Sequence, residues 1–134
     1  MEVAVDNSSA VAEASQSLVS RGVEAIWISG DVTVNLAADQ IIAVCRNAHI
    51  PVFTIIPPMA QQGALFDLGA DFHDVGIETA KLTVNVLNGA DLTKIPIRNS
   101  VPNRLLINRG ALKGLSARWT IPPDVLASAA KVIE

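Results

Sequence analysis

The chain has 134 residues, which predicts a single domain with one sizeable core. Half of the residues are hydrophobic and 17% are charged, which excludes an intrinsically disordered chain. The net charge of −3 does not favour a nucleic-acid partner, because phosphates require clustered Lys and Arg side chains. The most apolar stretch, residues 50–60, is interrupted by prolines and is about half the length of a membrane crossing, so no spanning helix is expected.

Cysteine and histidine are too sparse for a disulfide framework or a Cys/His metal cluster. Cys45 is the only cysteine, and His49 and His73 are the two histidines. We therefore expect no metal site and no cofactor. Residues 1–6 lack the positive start and the apolar core of a secretory signal, so no signal peptide is expected in this sequence.

Short apolar runs alternate with segments of helical periodicity, which predicts βα units around a mostly parallel sheet. The first unit has a strand at 3–6 and a turn at 7–9 that can cap a helix. Its helix runs from about residue 10 to residue 21 and ends at Gly22. With helices on both faces of the sheet, we expect a three-layer αβα sandwich, which is a flavodoxin-like α/β fold.

The second unit has a strand at 25–29 and a helix at about 35–48. The strand shows no polar alternation, which is typical of a central strand buried on both faces. Apolar side chains recur at helical spacing in the helix, namely Ile41, Val44, Cys45 and Ala48. Because Cys45 lies in this stripe, we interpret it as a core thiol.

The third unit has a strand at 51–56, also predicted to be central, and a short helix at about 60–68. A brief extended piece follows at 70–73. The next helix, at about 76–88, carries one apolar stripe of Ile77, Ala80, Val84 and Leu87.

The last third of the chain is predicted to contain extended pieces, an irregular connection and a final helix. The extended pieces are at 94–98 and 104–108, and the connection is at 110–120. The final helix begins at Pro122, and its apolar spacing extends to Ile133.

The sequence carries no common catalytic motif. It has no glycine-rich phosphate loop, no Gly-x-Ser-x-Gly elbow and no His-Glu-x-x-His pair. Asp71, His73 and Asp74 form the one compact polar cluster. The cluster could be a metal site or an acid/base site. We favour the alternative that it is a solvated segment or a hinge segment. We therefore do not expect an enzyme, and a flavodoxin-like enzyme is kept as an alternative.

Ligands of open parallel sheets bind beyond the carboxyl ends of the strands. In this chain those ends are expected at 6–8, 29–33, 56–59 and 72–73. Their small hydroxyls, amide, carboxylate, prolines and aromatic ring suit a small organic ligand better than a phosphate. Asn7 and Asp31 are equally good candidates for helix caps.

Several motifs together resemble the second lobe of ABC transporter substrate-binding proteins. The resemblance is to the tryptophan/tyrosine-type branch of the type I periplasmic binding protein superfamily. The first motifs are VEAIWISGDVTV at 23–34, IPVF at 50–53 and GAL at 63–65. The later ones are GIETA at 76–80, VLNG at 86–89, KIPI at 94–97, LIN at 106–108 with Ala111, IP at 121–122, VL at 125–126 and AKVI at 130–133.

The resemblance covers essentially this whole chain and the later half or less of a family member. It implies that residues 1–134 form a single α/β domain, mainly the second lobe of a two-lobe receptor. Residues from about 75 to 134 resemble segments that return to the first lobe. The first lobe and the first βα unit of the second lobe have no counterpart here, and the segment 116–120 is longer than the usual link.

The resemblance implies a receptor that closes on a small solute, often an amino acid, and delivers it to an ABC permease. It implies a periplasmic or cell-surface lipoprotein location and hinge closure without bond chemistry. By position, the implied ligand contacts are Asn7, Ser8, Asp31, Thr33, Pro57, Met59 and Phe72. Asp31 is the leading candidate, because a carboxylate at a strand end can accept a charge-assisted hydrogen bond from a ligand ammonium.

Two further interpretations stay open at this point. A ligand-sensing domain of a transcription regulator or signalling receptor would share the same fold and cleft. A homodimer is also possible, because the apolar stripe of the helix at 76–88 would lack the first lobe as its partner.

Overall fold

The computed structural model describes residues 1–99, 101–115 and 118–134. Its strands are β1 (Ile26–Ile28), β2 (Val52–Thr54), β3 (Phe66–Gly69), β4 (Arg104–Asn108) and β5 (Lys131–Ile133). Its α-helices are α1 (Val11–Ser20), α2 (Val32–Asn35), α3 (Ala38–Asn47), α4 (Met59–Gln62), α5 (Phe72–Leu87) and α6 (Pro123–Ser128). Three 3₁₀ turns lie at Ser8–Ala10, Leu92–Lys94 and Arg109–Gly114.

The five strands form one sheet in the order β1-β2-β3-β4-β5. The pairs β1/β2, β2/β3 and β4/β5 are parallel, and β3/β4 is antiparallel. The predicted α/β class with a mostly parallel sheet is therefore confirmed. None of the helices in the described residues is long and apolar enough to cross a membrane.

The main core lies between one face of the sheet and the helices α1 and α3. Ile26, Ile28 and Val52 point from β1 and β2 into a cluster of buried side chains. Helix α3 contributes its predicted stripe, with Ile41 and Cys45 at 3% and 1% exposure. Cys45 is thus a core thiol, as its position in the stripe predicts.

The opposite face of the sheet carries an aromatic row. Trp27, Phe53 and Phe66 are register partners on β1, β2 and β3, so their side chains share this face. The Phe53 and Phe66 rings meet edge to face at 5.5 Å, and Trp119 lies 5.9 Å from Phe53. Trp27, at the end of the row, stays 60% exposed.

Two strand predictions near the N-terminus are wrong. Residues 3–6 form no strand, and β1 is the first strand of the sheet order, so residues 25–29 are at an edge of the described sheet. The unbroken apolar run is explained instead by burial of alternate residues on one face, while Trp27 faces outward. Strand β2 does lie between two neighbours, as predicted for 51–56.

The segment 60–68 is not one helix. Helix α4 ends after one turn because Gly63 adopts φ +122°, a backbone conformation that other residues rarely reach. The chain then enters β3, and the predicted extended piece at 70–73 becomes the capped start of α5. Asp71 accepts from the backbone N–H of His73 at 2.9 Å, which explains why α5 begins at Phe72 rather than near Gly76.

The C-terminal predictions are partly wrong as well. Residues 104–108 form β4 as expected, but 94–98 form no strand. Helix α6 ends at Ser128, and residues 131–133 pair with β4 instead of extending the helix. Within the predicted irregular connection 110–120, residues 116–117 lie outside the described residues.

Candidate functional site

The carboxyl ends of the three parallel strands β1, β2 and β3 meet at one edge of the sheet. Ile28 pairs with Thr54, and Thr54 pairs with Asp67, so the loops that follow leave side by side. A Cβ added at Gly30 would lie 3.7 Å from Ile55, which brings the first two loops into contact. This edge is where the sequence predicts the ligand cleft, and we call it the carboxyl edge.

Gly69 joins the third loop to the second. A Cβ built on Gly69 would lie 2.3 Å from the carbonyl oxygen of Ile55 and 2.6 Å from Cδ of Pro57. Real Cβ atoms do not approach other atoms so closely. A residue without a side chain is therefore required where β3 passes under the Ile55–Pro57 backbone.

Buried polar groups hold the start of α4 against the sheet. Asp67 Oδ2 accepts from the Ala60 N–H at 2.8 Å, and Asn108 Nδ2 donates to the Ala60 carbonyl at 2.7 Å. Thr54 Oγ1 accepts from the Ile56 N–H at 3.0 Å. These bonds fix both ends of the loop 55–60 that crosses the carboxyl edge.

Asp67 is an unusual residue for the interior of a strand. It is fully buried, and among the described residues its Oδ1 has no hydrogen-bond partner. Burial raises the pKa of Asp67 above its ordinary value, and the bond from Ala60 opposes that change. The Asp67 side chain packs on the face of the sheet that the helices cover. Its role is to stabilise the fold and not to bind a ligand at the surface.

Asp31 lies at the exposed end of the first loop. Its Oδ1 accepts from the Val34 N–H at 2.9 Å, which caps helix α2. Among the described residues, Asp31 forms no ion pair with Lys or Arg and Oδ2 makes no hydrogen bond. The carboxylate thus caps α2 with one oxygen and offers the other to solvent.

Each loop of the carboxyl edge also carries an exposed apolar side chain. Val32 follows β1 and is 75% exposed, Ile55 follows β2 and is 41% exposed, and Phe72 follows β3 and is 70% exposed. Exposed apolar groups therefore follow all three strands, and the first of the three loops also carries the Asp31 carboxylate. The arrangement can bind an apolar ligand that carries a cation.

The other candidate residues have different environments. Asn7 caps the first 3₁₀ turn by accepting from the Ala10 N–H at 3.2 Å, and Ser8 lies within that turn. Thr33 and Pro57 are half-buried. Met59 is 1% exposed and packs in the core, which does not favour it as a ligand contact.

The Asp71, His73 and Asp74 cluster is explained by local structure. Each of the three residues has one atom that could ligate a metal ion, and these atoms lie within 4.8 Å of one another. However, Asp71 caps α5 and Asp74 pairs with Arg104. The side chain of His73 is 82% exposed. This is a solvated helix start, which is the interpretation that we favour from the sequence.

Arg104 is a residue of the carboxyl edge that the sequence analysis missed. Strand β4 runs antiparallel to β3, so its first residue lies beside Gly69, the last residue of β3. Strand direction cannot be inferred from the composition of a short apolar run, so no sequence signal identified Arg104. The guanidinium of Arg104 donates to the Asp74 carboxylate, so it is engaged in an ion pair at this edge.

A cavity of about 310 Å³ lies at the opposite edge of the sheet. Its lining includes Val52 and Leu65, at the amino ends of β2 and β3, together with Cys45 and Arg46. Burial raises the pKa of the Cys45 thiol to about 12, so the sulfur is a protonated core atom and not a nucleophile.

The chain is similar in sequence to known proteins. The family model for ABC transporter substrate binding proteins matches residues 1–133. A tyrosine-binding protein of Clostridioides difficile (strain R20291) is 25% identical over 115 residues, which are 86% of this chain and 33% of that protein.

Two solved structures share the fold. A conserved domain protein from Vibrio cholerae O1 biovar El Tor has a TM-score of 0.82 and 28% identity, covering 98% of this chain and 44% of that one. The ABC domain from Streptococcus pneumonia in complex with L-Trp has a TM-score of 0.81 and 28% identity, covering 98% and 43%.

The matched family is one of substrate-binding proteins and not of enzymes. The chain spans one third of the curated relative and less than half of each solved one. Because the family model covers nearly every residue, the chain belongs to the ABC transporter substrate-binding protein family.

Proposed function

We propose that this chain is the second lobe of an ABC uptake receptor and binds an aromatic amino acid at the carboxyl edge. The observation that carries the proposal is the exposed Asp31 carboxylate on the first loop of the carboxyl edge, whose three loops carry exposed Val32, Ile55 and Phe72. The carboxylate would accept from the ligand ammonium, and the apolar side chains would pack against the ring. The L-Trp complex of one relative and the tyrosine-binding name of another support this ligand class.

In this proposal the ligand is enclosed between two lobes. Residues 1–134 supply mainly one lobe, and residues from about 75 onward include segments that pack on the other. Every residue of α5 is described and none is buried, which is consistent with a helix whose partner lies outside the lobe. The lobes close by a hinge, and the loaded receptor passes its solute to an ABC permease at the periplasmic or cell surface.

The test is calorimetric titration of the two-lobe receptor with L-Trp and L-Tyr. The informative variant is Asp31→Asn, because asparagine keeps an oxygen that can cap α2 while the charge is removed. We expect the Kd to rise about 10- to 100-fold, as for loss of one charge-assisted bond, with little change in melting temperature. Indole-3-propionate, which lacks the ammonium, is expected to bind weakly to both proteins.

The matched control is Asp39→Asn, which removes an equal charge from the exposed first turn of α3. This variant is expected to bind like the unmodified chain. Equal affinity of Asp31→Asn and the unmodified chain for L-Trp would remove Asp31 from the site. Absence of any L-Trp or L-Tyr binding by the two-lobe receptor would refute the proposed ligand class.

We further propose that α5 mediates a homodimer of this chain when the other lobe is absent. Its apolar residues Ile77, Val84 and Leu87 are 42%, 54% and 80% exposed. Each such side chain gains about 1.5–3 kcal/mol when fully buried, and a twofold pairing covers both copies of the stripe at once.

Light scattering after size-exclusion chromatography tests the dimer. We expect a mass near twice the 14.1 kDa of the chain. Val84→Glu is expected to give the monomer, whereas Asn85→Glu, on an exposed polar position of the same helix, stays dimeric. A single 14.1 kDa species of the unmodified chain at all concentrations would contradict this proposal.

A further inference from the structure

The cavity at the amino ends of β2 and β3 plays no part in the proposed amino-acid binding. It lies between helix α3, these two strand ends and the 3₁₀ turn Arg109–Gly114 that follows β4, and we call it the amino-edge cavity. The carboxyl edge lies at the other ends of the same strands. A ligand in the amino-edge cavity would therefore occupy a second site.

The interior of the amino-edge cavity is aliphatic. Its side chains include Ile42 from α3, Val52 from β2, Leu65 just before β3 and Leu115 just after the turn. Cys45 adds a protonated sulfur, which is also apolar. No aromatic side chain is among the described residues that line the cavity. These walls suit an alkyl chain better than a stacked ring.

Arg46 is the one charged side chain in the described lining of the cavity. Its guanidinium lies against α4, because a Cβ built on Gly63 would be 2.9 Å from Nη2 of Arg46. In the described part of the chain, the arginine side chains that form hydrogen bonds or ion pairs are Arg104, Arg109 and Arg118. The donors of Arg46 thus have no acceptor there and can hold a carboxylate in a bidentate pair.

Hydrogen bonds hold the walls of the cavity in place. Asn108 donates from Nδ2 to the Ala60 carbonyl at 2.7 Å and accepts at Oδ1 from the Ala111 N–H at 3.1 Å. His49 Nδ1 donates to the Gly114 carbonyl at 2.7 Å, which ties the turn to the end of α3. Because the cavity is already formed, a ligand does not have to order its walls, and less binding free energy is lost.

The volume of the cavity limits the size of its ligand. The cavity measures about 310 Å³, which is near the lower end of the range for small-molecule sites. An apolar cavity of about 150 Å³ holds benzene, which has six heavy atoms. In proportion, the amino-edge cavity holds a ligand of about twelve heavy atoms or fewer.

We propose that the amino-edge cavity binds an aliphatic monocarboxylate of about six to eight carbons. The carboxylate pairs with the guanidinium of Arg46, and the alkyl chain packs against Ile42, Val52 and Leu65. A dicarboxylate of the same length is excluded, because its second charge would be buried among aliphatic side chains without a partner. The site does not rest on the proposed amino-acid binding, since it uses none of the residues of the carboxyl edge.

NMR titration of the ¹⁵N-labelled chain with sodium hexanoate tests the site. Hexanoate has eight heavy atoms, for which a Kd of about 1 mM is expected. We expect saturable shifts at the amides of Gly63, Gly110 and Gly114, which line the cavity. The amides of Gly22 and Gly89, at the ends of α1 and α5, are expected to stay unchanged.

Two comparisons isolate the role of the charge pair. The first is 1-hexanol, which has the same alkyl chain without the carboxylate and is expected to bind about tenfold more weakly or worse. The second is Arg46→Gln, which is expected to raise the Kd of hexanoate by about tenfold or more. Arg21→Gln is the matched control, because it removes an equal charge from the exposed end of α1, and it is expected to bind hexanoate like the unmodified chain.

A variant that fills the cavity tests the location independently of the charge. Ala111→Phe keeps Arg46 and places a ring in the space of the alkyl chain, so loss of hexanoate binding is expected. The amide spectrum of each variant shows whether it is folded. The titration is repeated on the two-lobe receptor, where the same three glycine amides are expected to shift, because every described lining residue belongs to this chain.

Four results would overturn the proposal. They are equal binding of hexanol and hexanoate, unchanged affinity of Arg46→Gln, shifts along the exposed stripe of α5 in place of the cavity glycines, and loss of the glycine shifts in the two-lobe receptor. None of these measurements uses L-Trp or L-Tyr, so failure of this site is distinguishable from failure of the proposed amino-acid binding.

Discussion

The contact at Gly69 leads to a sharp prediction about how the carboxyl edge is built. In the variant Gly69→Ala, the new methyl group meets the Ile55 carbonyl oxygen at 2.3 Å and the Pro57 ring at 2.6 Å. Both obstacles are rigid, because one is backbone and the other is a proline ring. One of the two loops must therefore retreat by about 1 Å before an ordinary contact is reached.

The expected cost is large for a single methyl group. Overpacking in a filled site costs about 1–3 kcal/mol, and we expect the upper end because the shift also strains the pairing of Gly69 with Arg104. Gly76→Ala is the matched control. A Cβ there has no neighbour within 4 Å, and alanine is favoured over glycine in a helix by about 0.5–1 kcal/mol.

Urea denaturation, followed by tryptophan fluorescence and circular dichroism, measures both variants. We expect Gly69→Ala to lower the free energy of unfolding by about 3 kcal/mol and Gly76→Ala to leave it unchanged or to raise it by up to about 1 kcal/mol. Equal stability of Gly69→Ala and the unmodified chain would refute the close approach of the two loops. A loss at Gly76 as large as that at Gly69 would contradict the assignment of the cost to the contact at Gly69, because a Cβ at Gly76 has no neighbour within 4 Å.

Two further predictions concern buried ionisable groups. Burial raises the pKa of Asp67 in the native chain above the ordinary 3.8. The Asp67 carboxyl therefore holds its proton more tightly in the native chain than in the unfolded chain. As a result, the free energy of unfolding falls as the pH rises from about 3.8 through the native pKa. Asp67→Asn is expected to lose this decline in urea titrations between pH 4 and pH 7, and an identical pH dependence of the two proteins would contradict the assignment. The pKa of the Cys45 thiol, at about 12, predicts that iodoacetamide reacts about 100-fold or more slowly with the native chain than with the urea-unfolded chain at pH 8. Equal rates, followed by mass spectrometry, would mean that the thiol is accessible in the native fold.

Local sequence signals were sufficient for the elements that are stabilised locally. Helix α3 follows its apolar stripe, and helix α1 begins after the Asn7 cap and ends before Gly22, whose φ is +78°. Strand β2 follows an unbroken apolar run. The α/β class follows from the alternation of these elements, because each βα unit can bury its apolar face only against its neighbours.

Apolar spacing alone did not distinguish helix from strand in two segments. Residues 60–68 fit a helix, but Gly63 ends α4 and pairing with β2 and β4 makes a strand of Phe66–Gly69. Residues 131–133 fit the end of a helix, but pairing with β4 makes them β5. In both segments long-range hydrogen bonds outweighed local preference.

The sequence by itself determined which loops follow the carboxyl ends of β1 and β2, and it identified Asp31 as a charged residue at one of them. Only the tertiary structure decided which side chains share that edge. The antiparallel direction of β4 brings Arg104 beside Gly69, the buried Asp67 and Asn108 hold α4, and packing of α4 on the core removes Met59 from the surface. The physical reason is that caps and stripes depend on residues within a few positions of each other, whereas strand order, strand direction and burial depend on contacts between residues that are distant in sequence.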